Sequence, residues 1–367
     1  MKTYIFVRNK IYRPSTYYRL YQYIAKNNTN SNFKVVEFEN NRYYKIKEKT
    51  IFLRIFNVVF NSLLPGYTKR LLILLQITLI KFFCDKYQYK IYVQRECFPK
   101  FIGPIGSILL NRVLSKANEI YWDFDDNIFE SKEISTYEKM LLLKYTNKIT
   151  VGNQYLVGKI NELYKNKIVV LNTTDITMSN LNLKEINQNR SRTYESEINL
   201  IWVGTKGNLR FIEQVIPFID EAAEIIDKKV VLKIVSDGII NKSTKKLVIK
   251  NIRWERSLAY KEMLASHIGL MPLEDNEFTR GKCAFKAVQA IGCGLPVILS
   301  NVGMNYTVVE KGNGILANSK IEWIEGLNIL SNNFELWKEK SILSRQLWEE
   351  KFNPNEIKSI ILEMVDN

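Results

Sequence analysis

One histidine and four cysteines in 367 residues leave little room for several kinds of chemistry. Zinc sites draw on clustered Cys and His. Here Cys84, Cys97, Cys283 and Cys293 are scattered without metal-ligand spacing, and His267 stands alone. No apolar run is long and clean enough to span a bilayer. The most apolar stretch, Ile51 to Cys84, is broken by Pro65-Gly66 and carries Arg54, Lys69, Arg70 and Lys81. The opening MKTYIFVRN is short and runs into polar turn residues, so it reads as a strand rather than a leader. With free thiols, that leads to an expected cytoplasmic location. There is no G-x-G-x-x-G and no recognisable DNA- or RNA-binding signature. Acidic residues are also short: 38 Asp and Glu face 53 Lys and Arg, a formal charge of +15. Such a balance suits nucleic acid, an anionic membrane or an anionic substrate. An AT-rich genome, which favours Lys, Asn and Ile codons, would also produce it.

What is present is ample apolar residue, 46% of the chain, enough for two cored domains. Strand-like runs alternate with helical ones. Lys2 to Arg8, Phe33 to Glu39, Ile91 to Gln94, Glu119 to Trp122, Lys148 to Gly152 and Lys167 to Leu171 read as strands of a first domain. The loop IYRPSTYYR follows the first strand and leads into a helix from Ser15 to Lys26, with Ser15 or Thr16 as its cap. Residues 51–84 read either as core helices or as an interfacial basic-apolar pair. After the strand ending at Trp122 come Asp123, Asp125 and Asp126. Strand C-termini are where open α/β sheets hold ligands, although loop aspartates also serve as caps and turns. Hard carboxylates suit magnesium.

A polar segment, 173–198, reads as a linker between an N-terminal domain (1–172) and a second domain (199–335), with 336–367 as terminal helices. The second domain opens on a strand, Leu200 to Val203, followed by Gly204-Thr205-Lys206-Gly207-Asn208 and a helix. A strand, a glycine loop and a helix suit the approach of a phosphate. Further strands end at Ser236-Asp237-Gly238 and at Arg253-Trp254. His267 begins another strand and reads as structural. Architecturally this is α/β, with two doubly wound Rossmann-like domains expected to face each other across a cleft.

The most informative stretch is EFTRGKCAFKAVQAIGCGLPVILSNVG, Glu277 to Gly303. Ala284, Phe285, Val288 and Ile291 recur at helical spacing, Lys282, Lys286 and Gln289 share another face, and LPVILS reads as a buried strand. Arg280, Lys282 and Lys286 crowd a helix N-terminus that already carries partial positive charge. A bound anion would remove that conflict; a solvated basic face is the other reading.

This stretch resembles the donor-site motif of GT-B glycosyltransferases of the family 4 type, whose helix reads E-x-F-G-x-x-x-x-E-A-M-A-C-G-x-P-V-V. QAIGCGLPVILSNVG matches its second half, while Gly281 and Gln289 stand at the two glutamate positions. A bacterial variant reading T-R-G-K-C-x-F-K-x-x-Q-x-M-A-x-G-x-P-V-V is nearer. The family loop carrying His-Asp reads Asp125-Asp126 here. The resemblance implies transfer of a sugar from a nucleotide-sugar to a glycan or lipid-linked acceptor, with retention at the anomeric carbon and without a metal. It implies that Lys206, Arg280, Lys282 and Lys286 face the diphosphate. Gln289 would hold a ribose or sugar hydroxyl, and Asp125 and Asp126 would orient donor sugar and acceptor. Gly204, Thr205, Asn208, Asp237, Arg253, Trp254 and Gly281 complete the donor side. Tyr12, Arg13, Ser15, Tyr17, Tyr18 and Arg19 would line the acceptor side, or their rings pack on the first helix. It also implies a role in surface polysaccharide assembly, with an anionic membrane surface as a further partner and no role for nucleic acid. An epimerase of the same fold would need cleft acid–base groups that a single histidine does not supply. A nucleic-acid-binding module would rest on charge alone.

Overall fold

The computed structural model describes residues 1–25, 32–39 and 58–366. Lys26, and residues 51–57 with Arg54, lie outside the described residues. The chain divides into two compact units, Met1–Thr173 with Asn355–Asn367, and Thr174–Pro354.

The first unit is an all-parallel sheet of β1 (Lys2–Val7), β2 (Phe33–Glu37), β3 (Tyr89–Gln94), β4 (Glu119–Phe124), β5 (Lys148–Val151) and β6 (Ile168–Val170), in the order β2-β1-β3-β4-β5-β6. Parallel strands are covered on both faces, which is why β3 and β4 are buried almost end to end. Helices α1 (Leu64–Phe83), α2 (Gly103–Leu114) and α3 (Thr136–Tyr145) connect the strands and pack side by side. Pro65-Gly66 does not separate two runs; it lies in the first turn of α1. The helical run does not begin there: a π turn, Val59–Leu63, leads straight into α1, so Pro65 sits at the junction of the π turn and the α-helix. Gly66 fits because a Cβ would stand 2.2 Å from the Phe38 carbonyl oxygen. One face of α1 buries Gly66, Arg70, Leu74 and Ile77. Arg70 is thus a core residue, not a surface cation. Its Nη2 donates to the Val7 carbonyl at 2.5 Å, its guanidinium lies 4.9 Å from the Phe6 ring, and burial lowers its pKa to about 10.

The second unit repeats the plan with β7 (Glu197–Val203), β8 (Lys229–Ser236), β9 (Val248–Arg253), β10 (Ile268–Met271), β11 (Val297–Leu299) and β12 (Gly314–Leu316), ordered β12-β11-β10-β7-β8-β9. Its helices are α4 (Leu183–Tyr194), α5 (Leu209–Ile225), α6 (Arg256–Leu264), α7 (Phe285–Gly292), α8 (Lys320–Asn332) and α9 (Phe334–Lys351). The segment 173–198, polar enough to read as a linker, contains α4, which belongs to this unit. Arg190 on α4 is buried by donating to four carbonyls, of Leu264, Gly294, Met263 and Cys293. A polar composition therefore hides a packed helix. Trp337 and Trp348 share α9 and are buried with Trp323 of α8. The last helix, α10 (Pro354–Asp366), joins the first unit from Asn355 on, where the Thr3 hydroxyl donates to the Val365 carbonyl at 2.8 Å.

His267 is structural, as its position at the head of β10 suggested. Its Nδ1 accepts from the Asn199 N–H at 2.8 Å and its Nε2 lies 3.1 Å from the Arg190 carbonyl. Burial drives its pKa down to about 4 from 6.5. Between those values the unfolded chain binds a proton that the native state does not, so stability falls as pH drops through that window. The expected loss by about pH 4 is about 3 kcal/mol. Denaturant unfolding at a series of pH values checks it, with the fall smaller in His267→Asn.

Candidate active site

In an open α/β sheet the ligand crevice forms where consecutive strands depart to opposite sides. In the first sheet that point lies between β1 and β3, and in the second between β7 and β10. Each collects charged residues at its strand C-termini.

At the first switch point, the 14–24 segment enters as a helix with a π turn at Tyr17–Tyr21. Such turns are frequent at functional sites. The Ser15 hydroxyl donates to Asp125 Oδ1 at 2.5 Å and accepts from Gln94 Nε2 at 2.8 Å. Arg95 donates from Nη1 to Asp126 Oδ2 at 2.9 Å and to Asp125 Oδ1 at 3.3 Å, and also pairs with Glu133. Its backbone is left-handed, φ 69°, a strained state for a residue with a side chain and one found at sites that need a fixed direction. Burial raises the Asp125 pKa, the charge of Asp126 adds to the rise, and Arg95 and Arg19 oppose it. Ser15, Asp125 and Asp126 are therefore brought together, with Arg95 and Gln94 between them. Nothing in the local pattern around RECFP singled out Arg95; its role arises from tertiary pairing.

Tyr18 and Arg19 do not belong to a ligand surface. Tyr18 is buried in the core and packs edge-on against Tyr17. Arg19 and Asp123 form a fully buried pair, with Nε at 3.0 and 2.9 Å from the two carboxylate oxygens. Arg19 Nη1 donates to the Leu171 carbonyl and to Thr173 Oγ1, and the Thr150 hydroxyl donates to Asp123 at 2.6 Å. An arginine placed on the first helix by sequence is thus the tie between that helix, β4 and the end of β6.

At the second switch point, the loop after β7 runs through Gly204, Thr205, Lys206 and Asn208 into α5, and Asn208 gives α5 no side-chain cap. A Cβ on Gly204 would meet the Trp202 ring at 2.4 Å, so glycine is required there. The Lys206 N–H donates to Asp237 Oδ1 at 2.6 Å, joining this loop to the one after β8. Thr205, Lys206, Asp237 and, at the end of β9, Arg253 are exposed; Trp254 is half-buried. Gln214 of α5 donates to Glu274 Oε1 at 2.5 Å, so the loop after β10 lies beside this helix.

The donor motif is built differently from a single helix. Glu277–Arg280 is one turn closed by an Asn276/Thr279 capping box. The chain then leaves helical geometry, Ala284 takes φ 47°, and α7 starts at Phe285. Lys282 accordingly precedes the helix rather than lying on a face with Lys286 and Gln289, and its Nζ sits 4.5 Å from the Phe278 ring centroid. Arg280 pairs with Asp275, Nε to Oδ1 at 2.6 Å. Gly303 closes onto this turn: at φ 54° its Cβ would stand 2.7 Å from the Arg280 carbonyl oxygen. Gly281 is buried between the two helical pieces.

Lys286, in the first turn of α7, donates to Gln289 Oε1 at 2.8 Å, and Gln289 Nε2 donates to Asp175 Oδ2 at 2.8 Å. Both ends of the Gln289 amide are thus engaged inside the unit, so it supports Lys286 rather than presenting itself to a hydroxyl. The Lys286 stem lines a small apolar cavity with Val203, Gly269 and Leu299. Burial lowers its pKa to about 8, Asp175 and Cys283 partly restore it, and nearby Arg256 opposes them. The far end of α7 is held by cations: Arg345 donates to the Gly292 carbonyl at 2.8 Å and Arg190 to the Cys293 carbonyl at 3.0 Å. Positive charge at a helix C-terminus is favourable, and the two buried arginines fix where the N-terminus points. Neither announced itself in the sequence, because both act from helices outside the motif.

Residues 198–333 match the model of the family described as glycosyl transferases group 1. No curated protein matches the chain significantly in sequence. Among solved structures, Anabaena Alr3699/HepE in complex with UDP is similar over 99% of this chain and 99% of its own, with a TM-score of 0.64 and 12% identity. A structure described as trehalose-6-phosphate from E. coli, bound with UDP-2-fluoro glucose, is similar over 99% of this chain and 98% of its own, with a TM-score of 0.56 and 10% identity. WaaG, a glycosyltransferase involved in lipopolysaccharide biosynthesis, is similar over 80% and 95%, with a TM-score of 0.50 and 10% identity. At such identities the likeness concerns the fold.

Proposed function

We propose that this chain, whose residues 198–333 match the group 1 glycosyl transferase model and whose fold is like that of solved glycosyltransferase structures, moves a sugar, with retention, from a nucleoside diphosphate sugar to a glycan or lipid-linked acceptor. The observation that carries the reading is the placing of Lys206 on the loop after β7, and of Lys282 and Lys286 on the segment and the helix that follow β10, these two strands flanking the switch point of the second sheet. In the reaction the bond from the anomeric carbon to the diphosphate oxygen breaks, and a bond from that carbon to the acceptor hydroxyl oxygen forms. The diphosphate leaves with the bonding electron pair and the hydroxyl proton is released. Fixed N–H groups and ammonium groups aimed at the growing negative charge lower the barrier. Lys206, Lys282, Lys286 and the α7 N-terminus fill that role. Asp126, more open than Asp125, orients the acceptor, while Asp125 fixes Ser15 and Arg95 around it. HepE bound to UDP supports a uridine diphosphate donor.

The proposal includes a mechanism without a metal. The acidic loop supports it, because Asp123 is satisfied by Arg19 and Thr150, Asp125 by Ser15 and Arg95, and Asp126 by Arg95. The link of WaaG to lipopolysaccharide supports a role in surface polysaccharide assembly. An acceptor of that kind is met at the inner face of the cell membrane.

A thermal-shift screen of nucleoside diphosphates and their sugars is the direct test. A ligand at about a hundred times its dissociation constant adds about 2.7 kcal/mol. Lys282→Ala is expected to shrink that shift, while Lys246→Ala on the exposed far surface leaves it unchanged. Equal effects from the two would make Lys282 a solvated lysine. EDTA is expected to leave transfer intact; restoration of lost activity by magnesium or manganese would return the aspartates to a ligand role.

A further inference from the structure

The second sheet brings one more cation to its C-terminal edge, and no motif in the sequence marked it. All six strands of that sheet run parallel. A helix that joins two of them therefore starts at the C-terminal edge. Both α6, between β9 and β10, and α7, between β10 and β11, start there. The two helices also share a core. Ala259 and Met263 of α6 lie in one buried cluster with Ala287, Val288 and Ile291 of α7, and Tyr260 packs against it. Met263 and Lys286 line the same cavity. Arg256 is the first residue of α6 and is half-buried. It precedes Ala259, Tyr260 and Met263 by three, four and seven residues, so it belongs to the face of α6 that packs with α7. One turn further on, the Tyr260 hydroxyl donates to the Thr177 carbonyl at 3.4 Å. Thr177 is two residues from Asp175, which holds Gln289 and through it Lys286. Burial is what lowers the Lys286 pKa most; Asp175 and Cys283 oppose it, and the charge of Arg256 adds to the fall. Arg256 and Lys286 are thus like charges on the first turns of adjoining helices, whose dipoles add partial positive charge of their own. Each raises the free energy of the other, and an anion between them reverses the sign.

We propose that Arg256 is a donor-binding residue that holds one phosphate of the donor diphosphate while Lys286 holds the other. A guanidinium fork suits a phosphate, because two of its N–H groups can meet two phosphate oxygens at once. An ammonium beside it acts as a point charge. The pair therefore fits a ligand with two linked phosphates, and a sugar carried on a single phosphate would engage only one of the two cations. The proposal rests on the nucleotide-sugar reading and narrows its donor to the diphosphate class.

The test is equilibrium titration and melting of the full chain with UDP, ADP, inorganic pyrophosphate and uridine, for wild type, Arg256→Met and Arg256→Lys. Arg256→Met is expected to bind the nucleoside diphosphate and pyrophosphate about tenfold more weakly, the effect of losing one hydrogen bond to a charged group. Uridine carries no phosphate, so its binding should not change. Arg256→Lys should fall between, since it keeps the charge without the fork. The pH profile supplies a second reading. Removing a like charge raises the Lys286 pKa from about 8 toward 10.5, so the pH at which the diphosphate-induced shift fades should move up in Arg256→Met. Equal weakening of uridine, UDP and pyrophosphate marks a structural arginine and overturns the proposal. Unchanged diphosphate binding in Arg256→Met overturns it too, as does a pH profile that stays in place. If Arg256→Met does not fold, Arg256→Lys decides: diphosphate binding equal to wild type overturns the proposal. A wild type that responds to neither nucleoside diphosphates nor pyrophosphate removes the nucleotide-sugar reading and this proposal with it. A wild type that responds, matched by both variants, removes only the role of Arg256.

Discussion

Arg19→Met is expected to destabilise the first unit by about 3–5 kcal/mol, the usual cost of stripping one partner from a fully buried ion pair. Neither side chain of the Arg19–Asp123 pair has exposed surface. Burial alone would lower the Arg19 pKa, and the Asp123 charge outweighs it and raises it. Without the guanidinium, Asp123 keeps the Thr150 hydroxyl but loses its counter-charge. The Leu171 carbonyl and Thr173 hydroxyl lose a donor as well. Arg19→Lys should fall between, because an ammonium keeps the charge but not the fork that reaches both β4 and the end of β6. The double change Arg19→Met, Asp123→Leu should cost less than Arg19→Met alone, since no uncompensated charge is left behind. Two units need not unfold together, so hydrogen exchange in β3 and β4 is the suitable reading, beside chemical denaturation. A loss below about 1 kcal/mol from Arg19→Met, or a double variant worse than the single, would return Arg19 to the acceptor side.

The same arginine shows why the fold was legible and part of the site was not. Parallel strands are covered on both faces and so write themselves as apolar runs, and each run around Ile91, Glu119 and Leu200 became a strand. The donor motif was legible because its helix, glycine turn and strand are contiguous. Its start was not: α7 begins only at Phe285, after a break beside which Gly303 closes on the Arg280 backbone, a contact that local pattern does not reveal. Arg19 and Asp123 are 104 residues apart, and local pattern gives no hint that one satisfies the other. Arg190 is hidden in the same way. It sits in a polar segment, and its burial depends on carbonyls of Leu264, Cys293 and Gly294 that the chain brings up much later. Buried arginines in this protein cap carbonyls, as Arg190 does, or pair with carboxylates, as Arg19 does, and the difference is set by which groups each can reach in the folded chain.

Lys286→Met is expected to lower kcat/KM by about 10²–10³, the effect of removing a preorganised donor from a developing charge. Three features single out Lys286 from the other lysines. It lies in the first turn of α7, it is oriented through Gln289 by Asp175, and its stem is desolvated against the β7–β10 sheet. Desolvation is what brings its pKa to about 8, so the site is held with a cation poised to be stabilised by an arriving anion. The sign of the pH effect follows. Between about 8 and 10.5 the unfolded chain holds a proton that the empty native site has lost, so the unliganded protein gains stability as pH rises. A nucleoside diphosphate favours the protonated form, so its stabilising shift should shrink over the same window. Asp175→Asn removes a charge that raises the lysine pKa and should move the break to lower pH. Lys286→Met should show a smaller shift with no break at all. The measurement is nucleotide-induced melting shift against pH for the three proteins, with initial rates beside it. Parallel profiles for wild type and Lys286→Met would mean that the diphosphate is held elsewhere, by Lys206 and Lys282 alone.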